Sequence, residues 1–286
     1  MERFAGSRRL RHALRVRLAE VVRDAVEPVV VRQTDELSQR LDGLDDQLRA
    51  LRDAMHDREV RDRRDMLAAG EREAVESSAT FVRESMSGAR TFPAPAETLA
   101  HALALAPTGG MALEFGVYSG TTLRQIASAR AGSAVFGFDS FEGLPEDWRA
   151  GFQAGTFAVE EIPQVEGAEL VVGWFSDTLP GFLEAHPGPV DLLHLDADLY
   201  SSTATVLELV GPRLRPGSVI VFDEYLNHPG WQDGEHQAWR EHVAAHHLEF
   251  VYEAFTHDNE QVVVVITGTR ELSAPQARVG SIETSP

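Results

Sequence analysis

Apolar residues recur at helical spacing along the first quarter of the chain. Within residues 2–27, Leu10, Leu14, Leu18 and Val21 fall four, four and three apart, Ala25 extends the stripe, and Pro28 is expected to interrupt the helix. From Leu37 the apolar positions are Leu37, Leu41, Leu44, Leu48, Leu51 and Met55, an alternation of four and three that Val30 and Thr34 carry backward in register. That spacing is a coiled-coil seam, and although Gly43 lies inside it, it predicts an oligomer in preference to a chain folded back on itself. The charged stretch 58–75 reads as a linking helix.

From about residue 93 the pattern changes to short apolar runs alternating with helical periods. Strands are predicted at 112–117, 134–139, 169–173, 190–196, 218–223, 250–254 and 261–266, with helices such as 121–129 and 201–210 between the first five. This is an α/β pattern: a seven-stranded, mostly parallel sheet covered on both faces, ordered 3-2-1-4-5 through its parallel part. His257, Asp258 and Asn259 leave room only for a short turn between the last two strands, so the sheet should end in a hairpin. The expected organisation is a helical and coiled-coil segment over 1–75, an α/β domain over 76–270, and a polar, disordered tail over 271–286.

Composition narrows the chemistry. The 286 residues include no cysteine, and all 26 basic residues are arginine. Without lysine there is no Walker phosphate loop, pyridoxal Schiff base or lysine general base; without cysteine there is no thiol nucleophile, thiolate zinc site or disulfide. Residues 1–75 balance 16 arginines against 16 acids, whereas the remainder has 10 arginines and 29 acids and so carries the whole net charge of −19. So acidic a domain is a poor nucleic-acid binder. Arg3, Arg8, Arg9, Arg11, Arg15 and Arg17 make the first helix basic, which allows peripheral contact with an anionic membrane; an ordinary solvated face is the preferred reading. No secretory signal or long apolar run is evident, so a soluble cytoplasmic protein is expected.

The first predicted strand runs into Glu114-Phe-Gly116-Val-Tyr118-Ser119-Gly120-Thr121-Thr122, a glycine-containing turn at a helix amino terminus. Asp139 ends the second strand 23 residues beyond Gly116, where a carboxylate can accept hydrogen bonds from both ribose hydroxyls. A nucleoside-type cofactor is therefore expected at the carboxyl ends of the strands. The Gly-x-x-x-Gly spacing suits a nicotinamide cofactor less well, because the three-glycine pyrophosphate fingerprint is missing. Asp196 and Asp198 follow the fourth strand and Asp223 and Glu224 the fifth, so four carboxylates should crowd together at neighbouring strand ends. Solvated loop acids are the alternative, but paired acids terminating two buried strands favour a hard divalent cation such as magnesium. Among histidines, His194 reads as a satisfied core residue, His228 as a candidate acceptor-pocket group, and His242, His246 and His247 as a surface face. Tyr200 and Trp231 suit either sugar stacking or core packing.

The segments LEFGVYSGTT, FGFDSFEGLPEDW, GWFSDTLP, HLDADLYSST and VIVFDEY, in this order, resemble the class I S-adenosylmethionine-dependent methyltransferases, specifically the macrocin O-methyltransferase-like group that methylates sugar hydroxyls with magnesium. The resemblance covers about residues 88–267 and implies a Rossmann-like fold. It implies that Glu114, Gly116 and Gly120 shape the methionine side of the cofactor pocket, lined by Tyr118, Ser119, Thr121 and Thr122. By the same resemblance Asp139 holds the ribose with Ser140 and Phe141 beside it, and Trp174, Phe175 and Ser176 border the adenine. The implied metal ligands are Asp196, Asp223 and Glu224, and Asp198 falls where a general base is expected. Asp223-Glu224 departs from the common Asp-Asp pair, and the 227–232 segment replaces the loop and basic helix of the antibiotic-sugar members, although it is still expected to help form the acceptor pocket. A metal-dependent methyltransferase acting on a sugar hydroxyl is the expected function. Methylation of a catechol-like hydroxyl, and a coiled-coil scaffold with a vestigial cofactor fold, are the alternatives.

Overall fold

A computed structural model of the chain describes residues 3–270, with side chains for His12 and from Leu14 onward. Arg3, Arg8, Arg9 and Arg11, on which much of the expected membrane contact rests, and the 271–286 tail lie outside the described side chains or residues. The chain divides into two compact units at Met66 and Leu67. Among the described residues no helix is long and apolar enough to cross a membrane.

The first unit is one helix, α1 (Arg3–Asp62), of 60 residues, roughly 90 Å long at the α-helical rise. It runs through Pro28 instead of stopping there, contrary to the sequence expectation. Proline removes one N–H donor, and the helix-forming sequence on either side sustains the remaining ladder. Along the predicted seam Leu37, Leu41, Leu44, Leu48, Leu51 and Met55 are between 54% and 65% exposed.

The second unit begins within α2 (Met66–Ser85) and is built on an eight-stranded sheet. Its strands are β1 (Arg90–Phe92), β2 (Met111–Phe115), β3 (Val135–Asp139), β4 (Glu169–Val172), β5 (Val190–Leu195), β6 (Val219–Phe222), β7 (Leu248–Thr256) and β8 (Val262–Thr269). Their spatial order is β1-β7-β8-β6-β5-β2-β3-β4, with β8 antiparallel to both neighbours and every other pairing parallel. The seven predicted strands are all present, in the predicted order. The eighth, β1, has only three residues and no buried one, so no apolar run marks it.

Helices α3 (Pro95–Leu105) and α4 (Thr121–Ala129) cover one face of the sheet, burying Leu99, Leu103, Leu123 and Ile126. On the other face lie α2, α5 (Phe175–Ala185), α6 (Tyr200–Val210) and α7 (Glu235–His246), contributing Ala74, Leu179, Val206 and Trp239. Period two divides the strands between these cores: Met111, Leu113 and Phe115 face one, Ala112 the other. With both faces covered, the chain's polar chemistry is left to the strand ends, where β2, β3, β5 and β6 deliver their last residues.

Candidate active site

A cavity of about 670 Å³ opens at the carboxyl ends of the parallel strands. Gly116 and Tyr118 after β2, Asp139 and Ser140 at β3, Trp174, Phe175 and Ser176 after β4, Asp196 and Asp198 after β5, and Glu224 after β6 all line it. The volume is in the range of a small-molecule or cofactor site.

Asp139 organises the cofactor side. One carboxylate oxygen accepts the Val117 and Tyr118 N–H groups at 2.8 Å each, and the other accepts Phe141 N–H at 2.7 Å. These bonds tie the β2–α4 turn to the end of β3, leaving lone pairs for a ribose. Tyr118 and Phe141 both hold positive φ, 45° and 59°, a strained geometry for side-chain-bearing residues that these bonds help maintain. Gly116 has φ 91°, and a Cβ there would lie 1.7 Å from the Asp196 carbonyl oxygen. The glycine thus admits the neighbouring backbone at least as much as a ligand. Gly120, by contrast, packs against Val165 and Pro163, and neither it nor Ser119, Thr121, Thr122 or Phe141 lines the cavity.

Glu114 is also withdrawn from the cavity. It is fully buried, and its Oε1 lies 2.9 Å from His194 Nδ1. The other ring nitrogen of His194 is 3.7 Å from Asp223 Oδ1. Burial alone would lower the His194 pKa, but the hydrogen bonds and charges of Asp223 and Glu114 outweigh it and hold the imidazole protonated well above its usual range. Asp223, despite its own burial, is correspondingly held low by His194.

The four acids expected to share one space divide into two sets joined at Asp196. His194, Asp196 and Asp223 bring donor atoms within 4.8 Å of one another, as do Asp196, Asp198 and Glu224. The expected trio of Asp196, Asp223 and Glu224 is split between these two sets: Asp223 lies beside His194, accepts the Gln261 amide at 3.1 Å and shares a side-chain hydrogen bond with Glu224. The second set faces the cavity. Burial, then repulsion from Asp223, raises Asp196 and Glu224 well above the usual carboxylate range. Asp198 is pushed up to about 7 by burial, with Arg149 opposing and Asp223 adding to the shift. Its φ of 59° is imposed by a tight turn in which Leu199 N–H donates to the Ala197 carbonyl at 2.6 Å. Glu224 Oε2 is buried without a hydrogen-bond partner among the described residues. An oxygen-only set with an orphaned carboxylate oxygen fits a hard divalent cation.

Several residues occupy places the sequence did not disclose. Glu235, at the start of α7, is fully buried; its carboxylate accepts Glu224 N–H at 3.0 Å and the Thr203 hydroxyl at 3.4 Å. It stands behind the acid set, with only its place at a helix start to signal it. The outer wall comes from the 29-residue connection between β3 and β4, whose Trp148, Arg149, Phe152 and Phe157 line the cavity. Phe152 lies 5.2 Å from Trp148 and 5.6 Å from Phe157, and Phe157 is 5.7 Å from Tyr118. A connection that long, bearing so many aromatic residues, is the available sequence signal.

The 227–232 segment does not reach the cavity. Asn227 N–H donates to Ser78 Oγ at 2.8 Å and Trp231 Nε1 to Ser77 Oγ at 3.0 Å, so α2 captures the loop. His228 is consequently buried beside the Glu224 and Pro229 carbonyls and does not line the cavity. Trp231 is a core residue, while Tyr200 donates its hydroxyl to Glu241. His242 is buried as well, stacked on Trp239, and is not part of a surface face.

A mostly parallel sheet of this order, with its cavity at the carboxyl ends of the strands, is a Rossmann-like α/β fold. Residues 113–225, about two fifths of the chain, match a family described as "Methyltransferase domain". The chain is 34% identical over 142 residues to the 8-demethyl-8-(2,3-dimethoxy-alpha-L-rhamnosyl)-tetracenomycin-C 4'-O-methyltransferase of Streptomyces olivaceus, covering 41% of this chain and 53% of that protein. It is 34% identical over 71 residues to the demethyldecarbamoylnovobiocin O-methyltransferase of Streptomyces niveus, covering 24% of this chain and 25% of that one. The chain thus spans about half of one curated relative and a quarter of the other. The solved calicheamicin methyltransferase CalS11 is 27% identical, with 54% of this chain and 72% of that chain covered and a TM-score of 0.45.

Proposed function

We propose that the protein transfers a methyl group from S-adenosylmethionine to a sugar hydroxyl of a glycosylated metabolite. The observation that carries this reading is one cavity joining Asp139 and the Trp174–Phe175–Ser176 edge to the acid set Asp196, Asp198 and Glu224. The named activities of the tetracenomycin and novobiocin relatives support the O-methyl transfer and the glycosylated acceptor. Asp139 would accept the ribose hydroxyls, and the Trp174 and Phe175 rings would pack against the adenine. Asp196 and Glu224 would hold a divalent cation, with Asp223 kept behind them by His194. Such a cation lowers the pKa of a bound hydroxyl and orients its oxygen. Asp198, buried at a strained turn, is assigned to take the proton. The methyl donor brings its own leaving group, so positioning supplies most of the catalysis.

Calorimetric titration with S-adenosylhomocysteine, then with magnesium, tests the assignment. Asp139→Ala should weaken S-adenosylhomocysteine at least tenfold, since it removes the ribose acceptor and the anchor of three N–H groups. An unchanged affinity overturns the ribose role. Transfer of labelled methyl to 4-nitrophenyl α-L-rhamnopyranoside tests the acceptor class.

The exposed seam supports a second proposal, that α1 pairs in parallel with a second copy of the chain. Leu37, Leu44 and Leu51 take the d positions of a heptad, and Leu41, Leu48 and Met55 the a positions. In parallel register Arg40 at g meets the partner's Asp45 at e, a complementary pair.

A further inference from the structure

We propose that the amino-terminal half of α1 lies along an anionic membrane surface. The proposal is independent of the methyl-transfer reading and concerns a face of the helix that the seam does not use. Leu14, Leu18, Val21 and Ala25 recur four, three and four residues apart, and the first three are 64%, 67% and 64% exposed. The helix runs unbroken from this stripe through Pro28 into the seam, so the angle between the two stripes follows from their spacing. At ~100° per residue the stripe lies about 130° around the helix from the 37–55 seam. Continued past Ala25 it would reach positions 28, 32 and 35, two residues out of step with the seam at 30, 34 and 37, whereas a coiled coil absorbs insertions of three or four. Pairing along the seam therefore leaves Leu14, Leu18 and Val21 uncovered.

Charge decides what covers them. Around the helix Arg15 and Arg17 flank the stripe on either side, whereas Glu20 and Glu27 fall on the far face and Asp24 is the acid nearest its edge. Among the described residues the ion pairs along α1 lie at residues 45–63, and neither Arg15 nor Arg17 has a partner. The sequence adds Arg3, Arg8, Arg9 and Arg11 just before them, so residues 1–19 hold six arginines and one acid, Glu2. Screening confines charge effects to about 8 Å at physiological salt, so a surface meets this local excess and not the net charge of −19 carried by residues 76–286.

The seam is built differently, with Arg40 and Asp45 of opposite sign beside it, as a partner helix requires. An apolar stripe whose two flanks carry one sign suits a surface of the other sign with an apolar interior: headgroups meet the arginines and acyl chains the leucines. A solvated face would account for the arginines alone.

Co-flotation of the full-length protein with unilamellar vesicles tests the proposal. Vesicles of equimolar phosphatidylglycerol and phosphatidylcholine should bind the protein at least tenfold more tightly than phosphatidylcholine alone. Arg15→Gln with Arg17→Gln should weaken that binding at least fivefold. Leu18→Glu with Val21→Glu should abolish it at unchanged helix content by circular dichroism. Leu44→Glu with Leu48→Glu, on the seam face, should keep the preference for anionic vesicles. Equal binding to both vesicles, no binding to either, or binding that survives Leu18→Glu with Val21→Glu overturns the proposal. Retention on immobilised poly-L-glutamate without flotation would assign the stripe to an acidic protein and overturns it too.

Discussion

In α1 the apolar side chains lie outside, and the first 75 residues balance their charges; in the α/β domain carboxylates lie inside, and the rest of the sequence carries the entire excess of acid. Each arrangement is costly in isolation. A row of exposed leucines forgoes about 1.5 kcal/mol or more per side chain that burial would recover. Clustered buried carboxylates repel and lose hydration, which is why Asp196, Asp198 and Glu224 are all displaced upward. On the two proposals made above for the seam and the acid set, each region would be completed from outside the single chain, one by another helix and the other by a cation and its ligands. Departure from a locally comfortable pattern marks where a partner belongs.

This contrast can be broken from either side. The largest effect is expected at the proton acceptor: Asp198→Asn should lower methyl transfer about a hundredfold or more while S-adenosylhomocysteine still binds, measured by turnover and calorimetry. If turnover survives, the proton goes elsewhere. On the pairing proposed for α1, the unaltered protein should sediment as an oligomer and Leu44→Glu with Leu48→Glu as a monomer, without a change in cofactor affinity, because the pair places like charges along the seam. An unchanged sedimentation coefficient would show that the seam is not the interface. Asp196→Asn should raise the stability of the cation-free protein by about 1 kcal/mol while abolishing any stabilisation by magnesium, since it relieves the burial of a carboxylate and then its repulsion with Asp223, which a bound cation would otherwise offset. Thermal melts with and without magnesium read both effects.

The smallest expected effect concerns His242, whose pKa is lowered to about 4 by burial and, secondarily, by His246. An unfolded histidine titrates near 6.5, so between these values the unfolded chain binds more protons than the folded one. This contribution to stability is therefore present above about pH 6.5 and is lost as pH falls through about 4. His242→Gln should flatten that limb in melts collected across the window, and an unchanged slope would place the acid sensitivity elsewhere.

The sheet was legible because its strands are continuous apolar runs, such as 190–195 and 219–222, that remain distinct under any tertiary context. β1 escaped because three exposed or half-exposed residues produce no run. At Pro28 the helical pattern on both sides outweighs a single local helix breaker. At the site, the sequence placed Asp196, Asp198, Asp223 and Glu224 together at neighbouring strand ends, but could not say which way each carboxylate turns. His194 decides that by attracting Asp223, and its partner Glu114 lies 80 residues away in sequence. His228 and the 227–232 loop follow the acids closely in sequence but do not line the cavity. Two serines on α2, which no motif identifies, draw the loop away.

Gly116 carries one more consequence. Its missing side chain lets the backbone after β2 touch the backbone after β5, where Asp196 N–H also donates to the Phe115 carbonyl at 2.9 Å. The donor half and the acid half of the cavity are thereby locked into one rigid block. The wall over them belongs to a long connection that shares none of this lock. Divergence in such a scaffold is free to rewrite the wall residue by residue, acquiring new acceptors while inheriting the reaction centre unchanged.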